Sequence, residues 1–137
     1  MVKRIAHVGI ATKSISTVAE FYKSLGLEIG MIEVISDQGA KVAVMEVGES
    51  AIELIEPTDI NSPVQRSIEA RGEGFHHITF EVDDLRKQLK ILKELNIRLI
   101  DEKPRLGVGG CEIAFVHPDS TGGVLVELSQ PLPEKSL

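Results

Sequence analysis

The stretch Phe75-His76-His77-Ile78-Thr79-Phe80-Glu81-Val82 is a second writing of Ile5-Ala6-His7-Val8-Gly9-Ile10-Ala11-Thr12. In each, a histidine alternates with apolar neighbours, and the two histidines stand 77 − 7 = 70 positions apart. Successive strand residues face opposite ways, so each stretch reads as a strand with an apolar face and a second face that carries its histidine.

The offset of 70 extends outward from both copies. After the first, Ser14 is an N-cap, Ile15, Ala19, Tyr22 and Leu25 recur at helical spacing, and Gly26 can close the helix in the left-handed conformation; a helix over about 15–25 follows. Adding 70 gives Asp84 as the cap, Leu85, Leu89, Leu92 and Leu95 as the stripe, and Asn96 as the stop. Strand-like segments come next at about 28–35, 40–47 and 50–56 in the first copy, and at 97–101, 111–117 and 123–129 in the second. Ser62 with Pro63 opens a linking helix over about 63–71, and Gly72 ends it. Glu53 in the first final strand corresponds to Glu127 in the second, and 127 − 53 = 74, so four residues have entered the second copy after its helix.

Two repeats are too few for a solenoid. They predict an α+β fold: two tandem βαβββ modules forming a curved eight-stranded mixed sheet with helices on its convex face. The expected organisation is a single domain over 1–137, with module one at about 5–57 and module two at about 75–130.

Alternation assigns the faces. Val8 and Ile10, like Ile78 and Phe80, make the helix-covered face, which leaves His7 and His77 on the other and turns His76 toward the helices. Ile52 and Leu54, like Val126 and Leu128, leave Glu53 and Glu127 opposite them. A strand histidine alone is usually a hydrogen-bonded structural residue, and a strand glutamate a solvated one. Duplication of both types at matching positions points instead to a divalent metal held by His7, Glu53, His77 and Glu127. Two carboxylates brought together without a cation would drive at least one pKa upward, whereas a dication with two neutral imidazoles accepts both ionised. Nitrogen and oxygen donors without thiolate suit cobalt, nickel, manganese, iron or zinc. His76 is expected to support the ligands rather than join them. His117, in a turn before Pro118, is expected to be structural.

Composition narrows the partners. Fifteen basic against twenty-one acidic residues give a net charge of −6, and one Tyr, four Phe and no Trp offer no stacking platform, so nucleic acid is not an expected partner. No apolar run approaches the length of about 18 residues that a membrane span needs. Nothing in Met1-Val2-Lys3-Arg4 resembles a secretory signal, and Cys111 is the single cysteine, which excludes an internal disulfide; a cytoplasmic protein is expected. Cys111 itself is expected to be a small buried hydrophobe. Gly107-Val108-Gly109-Gly110 lacks the Lys and Ser of a phosphate-binding loop and reads as a turn.

The two-module pattern resembles the vicinal oxygen chelate (glyoxalase/bleomycin-resistance/dioxygenase) superfamily, and the details resemble the methylmalonyl-CoA epimerase family over about 5–130. The similar stretches are Ile5 to Ala11, Phe21-Tyr22, Ile52-Glu53-Leu54-Ile55-Glu56-Pro57, Asn61-Ser62-Pro63, Gly74 to Ile78, Lys103 to Gly110, and His117-Pro118 followed by Gly122 to Leu128. The resemblance implies a metal-dependent isomerase acting on a coenzyme A thioester through an enolate, with cobalt the expected ion and manganese, nickel or zinc as alternatives, and a homodimer. It also implies that Glu127 both holds metal and moves the proton. The family's other base is a glutamate on the strand after the Gln-Gly turn, where this chain has Val42, and Val42 cannot move a proton. Glu46 shares that strand face, but at regular rise it stands about 13 Å further on. The rival readings are a lactoylglutathione lyase of the glyoxalase I type, using the same four residues, and a non-catalytic small-molecule-binding module of the same fold.

Overall fold

The computed structural model describes residues 1–133, so the last four residues of the expected domain lie outside the described residues. The elements in chain order are β1 (Val2–Ala11), α1 (Ile15–Ser24), β2 (Ile29–Ile35), β3 (Ala40–Val47), β4 (Ser50–Pro57), α2 (Pro63–Arg71), β5 (Gly74–Val82), α3 (Leu85–Glu94), β6 (Arg105–Leu106), β7 (Glu112–Val116) and β8 (Val126–Gln130). The eight strands form one mixed sheet in the order β2-β3-β4-β1-β5-β8-β7-β6. Among the described residues, no helix is long and apolar enough to cross a membrane.

The helix boundaries follow the sequence signals. Ser14 accepts the Thr17 N–H, Asp84 accepts the Lys87 N–H, and Ser62 accepts the Gln65 N–H with Pro63 at the first helical position. Each satisfies one of the donors that a helix start leaves unpaired. The paired stops Gly26 and Asn96 both take positive φ, 89° and 60°, the conformation that glycine and asparagine tolerate best.

The chain divides into two compact units, His7–His77 and Met1–Ala6 with Ile78 onward. In the first, β1 runs parallel to β4, and β4, β3 and β2 pair antiparallel. Its core is Ile15 and Ala19 of α1 against Ala43, Met45 and Leu54. In the second, β5 runs parallel to β8, and β8, β7 and β6 pair antiparallel. Its core is Leu85 and Leu89 of α3 against Ala114, Val116 and Leu128. These cores are the same set twice: 85 − 15 = 70, 114 − 43 = 71 and 128 − 54 = 74. Of the four extra residues, one therefore enters before β7 and three between β7 and β8. Burying a side chain the size of Leu54 contributes about 1.5–3 kcal/mol, so each helix is held by the first members of its expected stripe, while Leu25 and Leu95, expected to complete the stripes, are C-cap residues that stay exposed because the helices end one residue earlier.

One expected strand is corrected. Residues 97–101 contribute only an isolated bridge, Leu99 to Val116, and the edge strand is Arg105–Leu106. The ladder breaks because Ile100 and Asp101 both donate their N–H to the Phe115 carbonyl, while the Asp101 carboxylate takes the Phe115 N–H. Pro104, which has no N–H to give, then precedes the short strand.

Candidate active site

Two strand registers place the site residues. In the β1–β4 pair Glu53 stands opposite Gly9, and in the β5–β8 pair Glu127 stands opposite Thr79. Gly9 and Thr79 each lie two residues beyond a histidine, so each glutamate shares a sheet face with the histidine of its own repeat.

Three of the four expected ligands meet within the unit His7–His77. Nε2 of His7 is 3.1 Å from Nε2 of His77 and 3.2 Å from Oε2 of Glu53, and Nε2 of His77 is 3.9 Å from Oε1 of Glu53. His77 and Glu53 are buried. Burial, followed by the neighbouring His7 and His76, holds the His77 pKa well below its ordinary value, so the ring stays neutral. His76 touches it from the other side, with the two Nδ1 atoms 2.9 Å apart. The arrangement that leaves a lone pair on His77 Nε2 is the one in which His77 Nδ1–H donates to His76 Nδ1. His76 is itself kept neutral, its pKa lowered to about 4 by burial first and by Arg71 second.

Two imidazole nitrogens and a carboxylate at these separations form a donor set that fits a borderline divalent transition-metal ion. In that tautomer His77 presents the Nε2 lone pair that a ligating histidine requires.

Gly9 makes room for this cluster. A Cβ at Gly9 would lie 2.2 Å from Cε1 and 2.4 Å from Nδ1 of His77, far inside contact distance. A rigid imidazole cannot bend away as a flexible chain could.

Glu127 sits in the other unit. It is buried, and Thr79 donates its hydroxyl to Oε1 at 2.8 Å. Burial raises its pKa to about 7, against the lowering pull of the Thr79 hydrogen bond and of Arg105; Asp101 adds to the rise. Arg105 is fixed in place by Asp101, 3.4 Å from its Nε, and by the Phe115 ring, 5.3 Å beneath the guanidinium. Phe115 stands opposite Glu127 in the β7–β8 register. The result is a carboxyl group that can exchange a proton near neutral pH.

Two contributors went unassigned in the sequence, Gly9 and Thr79. They are partners under the offset of 70, and a glycine inside a strand is itself a signal of close backbone approach. Among the remaining expectations, His117 is structural: its Nδ1 accepts the Asp119 N–H and caps a single 3-10 turn. Residues 107–110 form a tight turn, with Gly109 and Gly110 at positive φ. Cys111 is half-buried rather than buried, because it lies at the mouth of that turn and bonds through its backbone to Gly107 and Val108. Val42 occupies β3 as expected, buried and opposite Ile55.

Residues 6–115 match the profile of the glyoxalase/bleomycin resistance protein/dioxygenase superfamily. The chain is 34% identical to the mitochondrial methylmalonyl-CoA epimerase of Bos taurus over 129 residues, covering 93% of this chain and 74% of that one. It is 43% identical to the uncharacterized protein YqjC of Bacillus subtilis, covering 93% and 92%. Among solved structures, a variant Streptomyces coelicolor methylmalonyl-CoA epimerase in complex with 2-nitronate-propionyl-CoA superimposes with a TM-score of 0.94 at 33% identity, covering 100% of both chains. The chain belongs to the glyoxalase/bleomycin resistance/dioxygenase superfamily and, within it, to the methylmalonyl-CoA epimerases, which are isomerases.

Proposed function

We propose that this protein interconverts the two epimers of methylmalonyl-CoA by a metal-dependent 1,1-proton transfer. The observation that carries the reading is the repeated register. Glu53 and Glu127 each stand opposite the residue two beyond a repeat histidine, and three of the four side chains, His7, Glu53 and His77, meet in one cluster. The Bos taurus relative is named for this activity, and the Streptomyces coelicolor structure holds a coenzyme A derivative. Both support a coenzyme A thioester as ligand.

In this reading His7, Glu53, His77 and Glu127 hold the ion, cobalt first among the candidates. A bound dication supplies stabilisation of the negative charge that develops on the thioester oxygen as the α-proton leaves. Glu127 moves that proton. A carboxylate that takes the proton in one direction can return it in the other, serving as base and then as acid. The dry surroundings of His77, Glu53 and Glu127 keep water from competing for the carbanion. We also infer that the two repeats work as one domain, in a cytoplasmic homodimer; sedimentation equilibrium should give twice 14.9 kDa.

The test is stereochemical. With cobalt in deuterated water, the protein should exchange the α-proton of methylmalonyl-CoA and convert one epimer to the other, and Glu127→Gln should abolish both. Exchange in no metal would overturn the reading. Consumption of the methylglyoxal–glutathione adduct instead would establish the lactoylglutathione lyase.

A further inference from the structure

Within its own unit, Glu127 shares a sheet face with the residues that the strand registers set beside it. Thr79 of β5 and Phe115 of β7 both stand opposite it, and residues directly opposite one another across paired strands share a face. The next row on that face begins at Ile113, two residues before Phe115, which stands opposite Ser129 of β8 on one side and Arg105 of β6 on the other. Arg105 is therefore on the Glu127 face, at the edge of the sheet. Resting on the function proposed above, we propose that Arg105 recognises the free carboxylate of the substrate and so selects a malonyl-type thioester over an uncharged acyl thioester.

The guanidinium is held in position without its donors being used up. Gly107 lets β6 close onto β7, since a Cβ there would stand 2.7 Å from Cγ2 of Ile113. The Phe115 ring lies 5.3 Å from the guanidinium carbon, which brings the Arg105 side chain out of its own row and over the row of Glu127. Asp101 approaches at Nε, 3.4 Å away, but the same Oδ2 accepts the Phe115 N–H, and among the described residues Nε has no hydrogen-bond partner. Nor, among them, is a hydrogen bond from Nη1 or Nη2 found. Asp101 and Phe115 thus set the direction of the fork and leave its outer donors for a ligand. The side chain is 36% exposed, so a ligand can reach it.

The chemistry selects the ligand. A planar guanidinium matches a carboxylate with two parallel hydrogen bonds. A substrate carboxylate brought near Glu127 sets like charges side by side, which is unfavourable without a cation between them. Arg105 is that cation, and its charge already acts on Glu127, against the rise that burial causes. In methylmalonyl-CoA the free carboxylate is bonded to the α-carbon from which Glu127 takes the proton, whereas the phosphates lie at the far end of the pantetheine arm. The anion that comes within reach of a side chain beside Glu127 is the carboxylate. A propionyl thioester has the same acyl chain without it, and would leave Arg105 unpaired.

The test is calorimetric binding of methylmalonyl-CoA, propionyl-CoA and free coenzyme A to the cobalt-loaded protein. The three ligands share every phosphate and differ first by the carboxylate and then by the acyl group. Arg105→Gln should weaken methylmalonyl-CoA about 10- to 100-fold, the usual effect of losing hydrogen bonds to a charged group, and leave propionyl-CoA and coenzyme A as in wild type. Arg105→Lys keeps the charge without the planar fork and should fall between the two. A merely structural role would not change the ratio of the methylmalonyl-CoA and propionyl-CoA affinities. Equal weakening of all three ligands would therefore overturn the assignment: with an unchanged melting temperature it is the pattern of a phosphate contact, and with a lowered one that of a structural residue. Wild-type affinity of Arg105→Gln for methylmalonyl-CoA would overturn it as well. A wild-type protein that binds none of the three would overturn the proposed function and this inference with it, an outcome distinct from a failure confined to the variants.

Discussion

The imidazole of His77 occupies the space that a side chain at Gly9 would fill, with Cε1 only 2.2 Å from where a Cβ would stand. Gly9 also faces Glu53 across the β1–β4 ladder, so the missing methyl group leaves room for the His77 ring beside the residue that pairs with Glu53. Gly9→Ala should therefore destabilise the fold by about 1–3 kcal/mol through overpacking and displace His77 from His7. Thermal unfolding together with calorimetric cobalt titration checks this. A variant with the wild-type melting temperature and affinity would remove Gly9 from the site.

His76 meets the cluster where its Nδ1 lies 2.9 Å from Nδ1 of His77. His76→Phe keeps a ring of similar size and removes that nitrogen. The prediction is a loss of about 10- to 100-fold in metal affinity, the usual cost of removing a group that orients a ligand. Melting of the metal-free protein should change much less than metal binding does.

Glu127 makes the metal-free protein sensitive to pH in a definite direction. Its pKa rises from 4.5 to about 7 on folding, so between these values the folded state holds a proton that the unfolded state has released. Stability is then lost as pH rises through this window, by up to about 3 kcal/mol for a shift of this size. Glu127→Gln does not titrate. Its melting temperature relative to wild type should climb from pH 4.5 to pH 7 in the presence of a chelator and level off above that. A difference independent of pH would contradict the raised pKa. His76 and His77 have lowered values and push the opposite way as pH falls below 6.5, which is why the comparison is made between variant and wild type rather than on wild type alone.

Thr79 donates to Oε1 of Glu127 and so favours the ionised carboxylate. Thr79→Val keeps the shape of this fully buried side chain and removes the donor. The Glu127 titration, followed by carbon-13 NMR of the metal-free protein, should move above its value of about 7. A midpoint that falls or stays in place would assign the pKa to causes other than this hydrogen bond.

Much of this molecule can be read from one line of sequence because its signals are local and doubled. The caps Ser14 and Asp84, the stops Gly26 and Asn96, and the stripes beginning at Ile15 and Leu85 each report a helix independently, and the offset of 70 makes each a check on the other. The choice of His77 over His76 follows from alternation alone. The strand expected over 97–101 is a local signal that failed: the alternation of Ile97 and Leu99 is present, but the Asp101 carboxylate captured the Phe115 N–H that a ladder would have used.

What the sequence by itself determined is the set of elements, their duplication and the face on which each histidine and glutamate lies, because periodicities of 3.6 and 2 residues are properties of the backbone. What the tertiary structure decided depends on which residues are brought opposite one another by pairing between distant segments. The clearance of Gly9 for His77 and the contact of Thr79 with Glu127 belong to strand registers and ring packing, and these are fixed only when the strands meet.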